Sequence, residues 1–278
     1  DRTLTEAPLK IGILNVMHDK ADTKTRLQHV LSHTDIPVEL HFYYPMTHYA
    51  GREVPEAVSS ILEPLDIHEA ATMDGFIITG SPIETLEFDQ VHYIAEVRAL
   101  LKTLGQHVPN QMYLCWGGMV ALNYFFGVSK LILPHKLFGV YPQTILEPHP
   151  FLKGLKEGFK SPHARYAEMD VRDIRNDPRL TINATTTKGK LFMVTEPTDT
   201  QTFIFSHIEY DRWGLDSEYK REVAAHPEIS YKRAKHYYHH KNDYDHPKFN
   251  WKKTQRTIFD NWIRHIADHR NENRSPII

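Results

Sequence analysis

The sequence contains a single cysteine, Cys115, which cannot form an internal disulfide or, by itself, a thiolate metal cage. Two roles are left for it: a small buried hydrophobe, the commoner fate of a free cysteine, or a reactive thiol. Cys115 stands at the end of a short apolar run that begins at Gln111, and Trp116, Gly117 and Gly118 follow it. A strand that turns sharply into a helix presents such a side chain above the sheet edge, and small residues after it let the backbone curl without clashes. The positive end of the helix then faces the sulfur, which favours a charged nucleophile. A thiol nucleophile also needs a base and a group to orient that base. Among 19 histidines, His207 stands out because it follows an apolar strand in FIFSHIEYD (203–211) and has Glu209 two residues on. Side chains at i and i+2 of a strand share a face, so the carboxylate can fix the imidazole tautomer and stabilise its cation. The same spacing also describes a solvent-facing histidine beside a surface glutamate.

These residues need a scaffold. Apolar runs at Leu9–Met17, Val38–Tyr44, Asp74–Thr79 and Gln111–Cys115 read as strands. Between them lie helical spans: one ending at Leu31, one over Asp89–Leu104 with Val91, Ile94, Val97, Leu101 and Leu104 on one face, and one over Gly117–Phe126 stopped by Gly127. Strands alternating with helices at this interval predict an α/β protein with a doubly wound, mostly parallel sheet flanked by helices, and such sheets carry their sites at the carboxyl ends of the strands. Gly139–Leu146, Leu180–Thr186, Leu191–Thr195 and Thr202–Ser206 are further strand candidates, read as the antiparallel part of the same sheet. Trp251–His269 reads as an amphipathic closing helix, and the polar tail Arg270–Ile278 as a frayed end. No break in pattern divides residues 1–278 into separate domains.

With 41% hydrophobic and 24% charged residues, the chain can bury a full core. Its 33 basic and 35 acidic residues give a net charge of -2, leaving no basic excess to displace phosphate counterions from nucleic acid. No apolar run is long enough to cross a bilayer, and Asp1–Lys10 lacks the apolar core of a secretory signal, so a reducing, cytoplasmic address is expected. The phosphate-loop patterns GxGxxG and GxxxxGK[ST] are absent. The stretch HYYHHKNDYDH (236–246), with four histidines and two aspartates, reads as a polar, tyrosine-rich loop rather than a metal site.

Several ordered motifs together make a more specific signal: LKIGILNVM (9–17), DGFIITGSP (74–82), LCWGGMVALN (114–123), KLFGVY (136–141), SPHARYAE (161–168) and HIEYD (207–211). In these the chain resembles the homoserine O-acyltransferases of the MetA type, whose fold is similar to that of class I glutamine amidotransferases, a flavodoxin-like architecture. The resemblance implies Cys115 as acyl-accepting nucleophile, His207 as base and Glu209 as third member. It implies no bound cofactor or metal, acetyl-CoA as co-substrate, a small hydroxy amino acid as acceptor in methionine or cysteine biosynthesis, and a homodimer. Lys20, Lys136 and Arg221 stand where the family has substrate-site cations, and Trp116 where an oxyanion-binding amide is expected, with a second amide from the loop 81–85. Glu84 stands where succinyl-transferring members tend to have glycine, which points to acetyl-CoA. The chain departs from the family at Ala164, commonly serine, at His18 and at Ile208, both commonly proline. Ala164 removes a hydroxyl near the expected substrate site, so homoserine and L-serine both remain candidate acceptors. The same fold and triad would also serve a glutamine amidotransferase-like thiol hydrolase.

Overall fold

The computed structural model describes residues 7–273. In chain order its elements are β1 (Leu9–Leu14), α1 (Lys20–Leu31), β2 (Val38–Tyr44), α2 (Glu56–Ser59), β3 (Glu63–Pro64), α3 (Ile67–Ala70), β4 (Gly75–Ile78), α4 (Ile94–His107), β5 (Gln111–Leu114) and α5 (Trp116–Phe126). There follow β6 (Lys130–Ile145), β7 (Lys160–Met169), α6 (Val171–Asn176), β8 (Thr181–Thr186), β9 (Leu191–Thr195), β10 (Gln201–Ile204), α7 (Gly214–Ala225), β11 (Tyr238–His240), β12 (Asp243–Pro247) and α8 (Lys252–Asn273).

Ten strands form one sheet in the order β3-β2-β1-β4-β5-β10-β9-β8-β6-β7. Every pairing from β3 across to β10 is parallel, and every pairing from β10 to β7 is antiparallel. Setting aside the two-residue β3, the parallel strands follow the flavodoxin-like order, with the strand direction of winding reversing between β1 and β4. The fold is therefore the mostly parallel, helix-flanked sheet that the sequence pattern predicts.

Alternation along the strands explains the two layers. Ile11 and Ile13 of β1 pack with Leu27 and Val30 of α1 and with Ile258, Phe259 and Trp262 of α8. Leu14 of β1 and Ile78 of β4 face the other way, onto Val97, Leu101 and Leu104 of α4 and Met119 of α5. Each such side chain, fully buried, contributes about 1.5–3 kcal/mol. The carboxyl ends of β1, β4, β5 and β10 all open on one edge, and every residue of the expected triad lies there or just beyond.

The structure differs from the sequence pattern in the second half. β6 begins at Lys130 rather than Gly139 and shifts register between Ile132 and Leu137, where Pro134 has no N–H to give the ladder. β7 and α7 have no counterpart in the pattern. β7 hides because its buried face carries His163 and Arg165, polar residues that hydrogen-bond to internal partners. The stretch 236–246, expected as a loop, is largely the β11–β12 hairpin. The tail expected to fray from Arg270 continues α8 as far as Asn273, and the rest of it lies outside the described residues. Among the described residues no helix is long and apolar enough to cross a membrane.

Candidate active site

Cys115 joins β5 to α5 with φ +49° and ψ -112°, a backbone conformation that a residue with a side chain seldom adopts. The turn is pinned by the Cys115 N–H donating to the Ile204 carbonyl of β10 at 2.7 Å. It can be this tight only because α5 starts on small residues: a Cβ on Gly117 would lie 2.5 Å from the Ile78 carbonyl oxygen. Trp116, the first residue of α5, has a backbone N–H without an intrahelical acceptor, and it sits beside the sulfur-bearing residue.

His207 follows β10, and its ring Nδ1 lies 2.9 Å from Glu209 Oε1. The imidazole also hydrogen-bonds the Cys115 side chain; with Nδ1 engaged, Nε2 is the nitrogen left for the sulfur. Burial alone would lower the basicity of this ring. The charges of Cys115 and Glu209 and their hydrogen bonds outweigh burial and hold its pKa well above the ordinary histidine value. The three side chains thus form a continuous relay, as a thiolate–imidazolium–carboxylate arrangement requires.

Partners that the spacing did not reveal lock this geometry. Tyr210 stacks on the His207 ring at 4.4 Å and 18°. Trp251, just before α8, and Gln255 of α8 donate to the Tyr210 carbonyl at 2.8 and 3.1 Å, and Gln255 also to that of Ile208 at 2.8 Å. The fully buried Arg165 donates to the Phe205 carbonyl at 2.9 Å and pairs with Glu168 at 3.1 Å, tying β7 to the segment that carries the base. Gly80 fills the gap between base and nucleophile: a Cβ there would meet His207 Cε1 at 2.9 Å and Cys115 Cβ at 3.2 Å. Tyr210 was visible within HIEYD and Gly80 within TGSP, but neither has a side-chain pattern that marks its role.

An elbow of this kind is expected to project its sulfur into an open cleft, and here Cys115 is only 2% exposed. The Gly80 turn lies close to it, since a Cβ there would come within 3.2 Å of Cys115 Cβ and 3.5 Å of Met17 Sδ, and Met17 is itself 2% exposed. Two cavities nearby share His18 and Pro82 in their walls, and Cys115 lines neither. One, of about 450 Å³, is lined by Met17, Lys20, His48, Ser81 and Tyr93. The other, of about 600 Å³, is lined by Glu84, Tyr166, Glu218, Arg221 and Glu222.

Three of the remaining sequence candidates line one or other of the two. Lys20 belongs to the first cavity, where its ammonium donates to the Met17 carbonyl at 2.7 Å; burial lowers its pKa to about 8 against the opposing pull of Asp19. Glu84 and Arg221 line the second. Burial raises the Glu84 pKa, opposed by hydrogen bonds that include the Tyr166 N–H at 3.2 Å. Lys136 reaches the same region, pairing with Glu218 at 3.3 Å and with Glu222, while Arg221 lies 3.7 Å from Glu218. Glu218, Glu222 and Tyr166 were not among the sequence candidates, because α7 and β7 were not recognised as elements. Ala164 lies two residues before Tyr166 on the same face of β7 and is buried with Met17 and Tyr210. Among the described residues no group of three or more His, Cys, Asp or Glu side chains is placed to hold a metal.

This geometry can be set beside known proteins. The model of a family described as homoserine O-succinyltransferase matches residues 3–272. The chain belongs to the homoserine O-succinyltransferase family. Within that family it is 90% identical to a serine O-acetyltransferase of Lacticaseibacillus casei, over 97% of this chain and all of the relative. It is 34% identical to a homoserine O-acetyltransferase of Streptococcus mutans, over 94% of this chain and 82% of the relative. The family fold extends to a glutamine amidotransferase from Thermotoga maritima, with a TM-score of 0.59 at 10% identity, covering 95% of this chain and 98% of that one. Members of the family named for different acyl donors and acceptors therefore share the frame into which this site is built.

Proposed function

We propose that the protein is a serine O-acetyltransferase that works through an acetyl thioester on Cys115. The relay from Cys115 through His207 to Glu209 carries the reading. The Cys115 thiolate attacks the carbonyl carbon of acetyl-CoA, and the tetrahedral oxyanion takes hydrogen bonds from the Trp116 N–H and an amide of the 81–85 loop. On collapse the C–S bond to coenzyme A breaks, and His207 Nε2 gives its proton to the departing thiolate. The hydroxyl of serine then attacks the acetyl-cysteine while His207 takes the hydroxyl proton. Expulsion of the Cys115 thiolate yields O-acetylserine and restores the starting charges. Glu209 keeps the ring oriented and favours its cationic form in both halves.

Arg221 is suited to the carboxylate of the acceptor, and Glu218 to its ammonium group, because an α-amino acid presents both charges to the same cavity. The name of the 90% identical relative supports serine as acceptor, and so does Ala164, which withholds a hydroxyl two residues from Tyr166 of that cavity. Ala164→Ser is expected to shift the ratio of kcat/KM for homoserine over serine upward by about fivefold, the worth of roughly 1 kcal/mol of one hydrogen bond. Steady-state rates with both acceptors check this; an unchanged ratio removes Ala164 from acceptor choice.

Glu84 supports acetyl over succinyl as the transferred group. Its side chain occupies the second cavity's wall, and since burial raises its pKa, exclusion of a longer acyl chain rests on volume as well as charge. Glu84→Gly is expected to raise the succinyl-CoA rate relative to acetyl-CoA by roughly tenfold or more. Competition between the two donors, read by mass spectrometry of the products, measures the ratio. Incubation with acetyl-CoA tests the reaction itself: a 42 Da class of adduct on the Cys115 peptide, discharged by serine, is expected on the order of one per chain. Ammonia release from glutamine without any such adduct would establish the thiol-hydrolase alternative instead.

A further inference from the structure

A third cavity, of about 390 Å³, lies away from the triad. It is walled by the bend of β6, by the turn between β8 and β9, and by Lys235 and His236. Tyr141 and neighbouring apolar residues line it, while Lys188, Lys190, Lys235, His135 and His236 contribute donors and no Asp or Glu lines it. Among the described residues none of these three lysines has a carboxylate partner. Lys136 also lines this cavity, but its ammonium is directed away, to Glu218 and Glu222. In a chain of net charge -2, such a one-sign lining is not a by-product of composition, and it favours an anionic ligand.

The wall is held in place by specific contacts. The Val140 N–H donates to the Lys235 carbonyl at 2.9 Å, and the Lys235 N–H donates to the Phe138 carbonyl at 3.0 Å. That clamp needs Gly139, at φ +154°, because a Cβ there would lie 2.5 Å from the Lys235 carbonyl oxygen. The next residue, His236, has φ +56°, an uncommon conformation of the kind that concentrates at ligand clamps. Its ring meets Tyr141 edge-on at 5.7 Å. A rigid pocket with ring surfaces inside and ammonium groups around it matches a phosphorylated nucleotide better than a small inorganic anion.

We propose that this cavity holds the phosphorylated nucleotide end of the coenzyme A donor, with Lys188, Lys190 and Lys235 on phosphate oxygens and the Tyr141 and His236 rings beside the base. The assignment rests on the acetyl-CoA reading above. Lys136 links the two places, since it lines this cavity and its side chain reaches the carboxylates of the substrate cavity. A pantetheine arm crossing β6 there connects nucleotide to nucleophile. Free nucleotides and inorganic phosphate share the same chemistry, so the test must separate them.

Calorimetry on the full-length Cys115→Ala protein measures binding without turnover, using coenzyme A, 3′-dephospho-coenzyme A, pantetheine, ADP and inorganic phosphate. Combining this with Lys188→Glu and Lys235→Glu is expected to weaken coenzyme A binding about tenfold or more, with pantetheine binding unaffected. Lys188→Gln with Lys190→Gln, a milder pair on the β8–β9 turn, is expected to weaken it in the same direction, so a folding failure of the first variant leaves the question answerable. In the active enzyme the loss should fall on the acetyl-CoA KM, whose rise with salt should flatten in the variants. Unchanged coenzyme A affinity in both variants would overturn the assignment. So would phosphate or ADP binding that the variants abolish while coenzyme A affinity stays intact, the signature of a separate anion site. Lysine-dependent coenzyme A binding in a protein that transfers no acetyl group would sustain this site and refute the proposed reaction.

Discussion

Cys115→Ala is expected to lower acetyl transfer by a factor on the order of 10⁴ or more, because no other group in the relay can form the thioester. The substitution removes one buried sulfur and leaves the φ of +49° to alanine, so the fold should survive with a modest loss of stability. His207 then keeps Glu209 but loses both the charge and the hydrogen bond of Cys115, two of the influences that raise its pKa. Coenzyme A and serine should still bind, because the cavities that would take them are lined by other residues. The decisive readings are the acetyl adduct by mass spectrometry and the single-turnover rate. A variant that keeps more than about a hundredth of the rate, well above the residue expected from positioning alone, would mean direct transfer from acetyl-CoA to the acceptor, with the sulfur a bystander.

The parallel half of the fold was legible because buried strands and amphipathic helices obey different periods. Leu9–Leu14, Val38–Tyr44 and Val97–Leu104 display them openly. The grouping of Cys115, His207 and Glu209 came from the family resemblance, because on residue pattern alone the cysteine could equally be core and the histidine solvent-facing. What escaped is informative. β7 carries Arg165 and His163 in a fully buried wall, and a sequence pattern scores such residues as surface unless their partners, the Phe205 carbonyl, Glu168 and Gln143, are known. α7 buries Asp216 and Glu218 rather than an apolar stripe, so its helical period has no hydrophobic marker. The burial of the sulfur arises where the turn at Gly80 comes close to Cys115 and His207, a meeting of distant segments that no local pattern encodes.

The burial of Cys115 also gives the site a consistent physical logic. Closing water away from Cys115 and His207 strengthens the attraction between their charges, and in the proposed reaction it would protect the acetyl thioester from hydrolysis between the two half-reactions. The cost is access: with Cys115 2% exposed, a thioester reaches the sulfur only when neighbouring groups give way. The two cavities share His18 and Pro82 in their walls.

Glu209→Gln separates orientation from charge in the same relay. Glu209 is 1% exposed; Oε1 holds His207 Nδ1 at 2.9 Å, while Oε2 is buried without a hydrogen-bond partner. Glutamine matches the shape and can still offer its carbonyl oxygen to Nδ1–H, but it cannot balance the imidazolium charge. The rate is expected to fall by roughly 10²–10⁴. The pH dependence supplies the sharper reading. In the wild type His207 is held protonated to well above the ordinary histidine range, with Cys115 and Glu209 together overcoming burial. Without Glu209, burial gains weight and the His207 pKa falls. Thioester formation needs the imidazolium to protonate the departing thiolate, so activity declines as pH rises through that pKa, and this basic limb should move to lower pH in Glu209→Gln. Glu209→Asp keeps the charge at a longer reach and should place the limb between the two. Rates of acetyl-cysteine formation across pH in all three proteins test the ordering. If the glutamine variant loses rate while its basic limb stays at the wild-type pH, Glu209 acts on the position of the ring alone, and the charge-balancing role assigned to it is wrong.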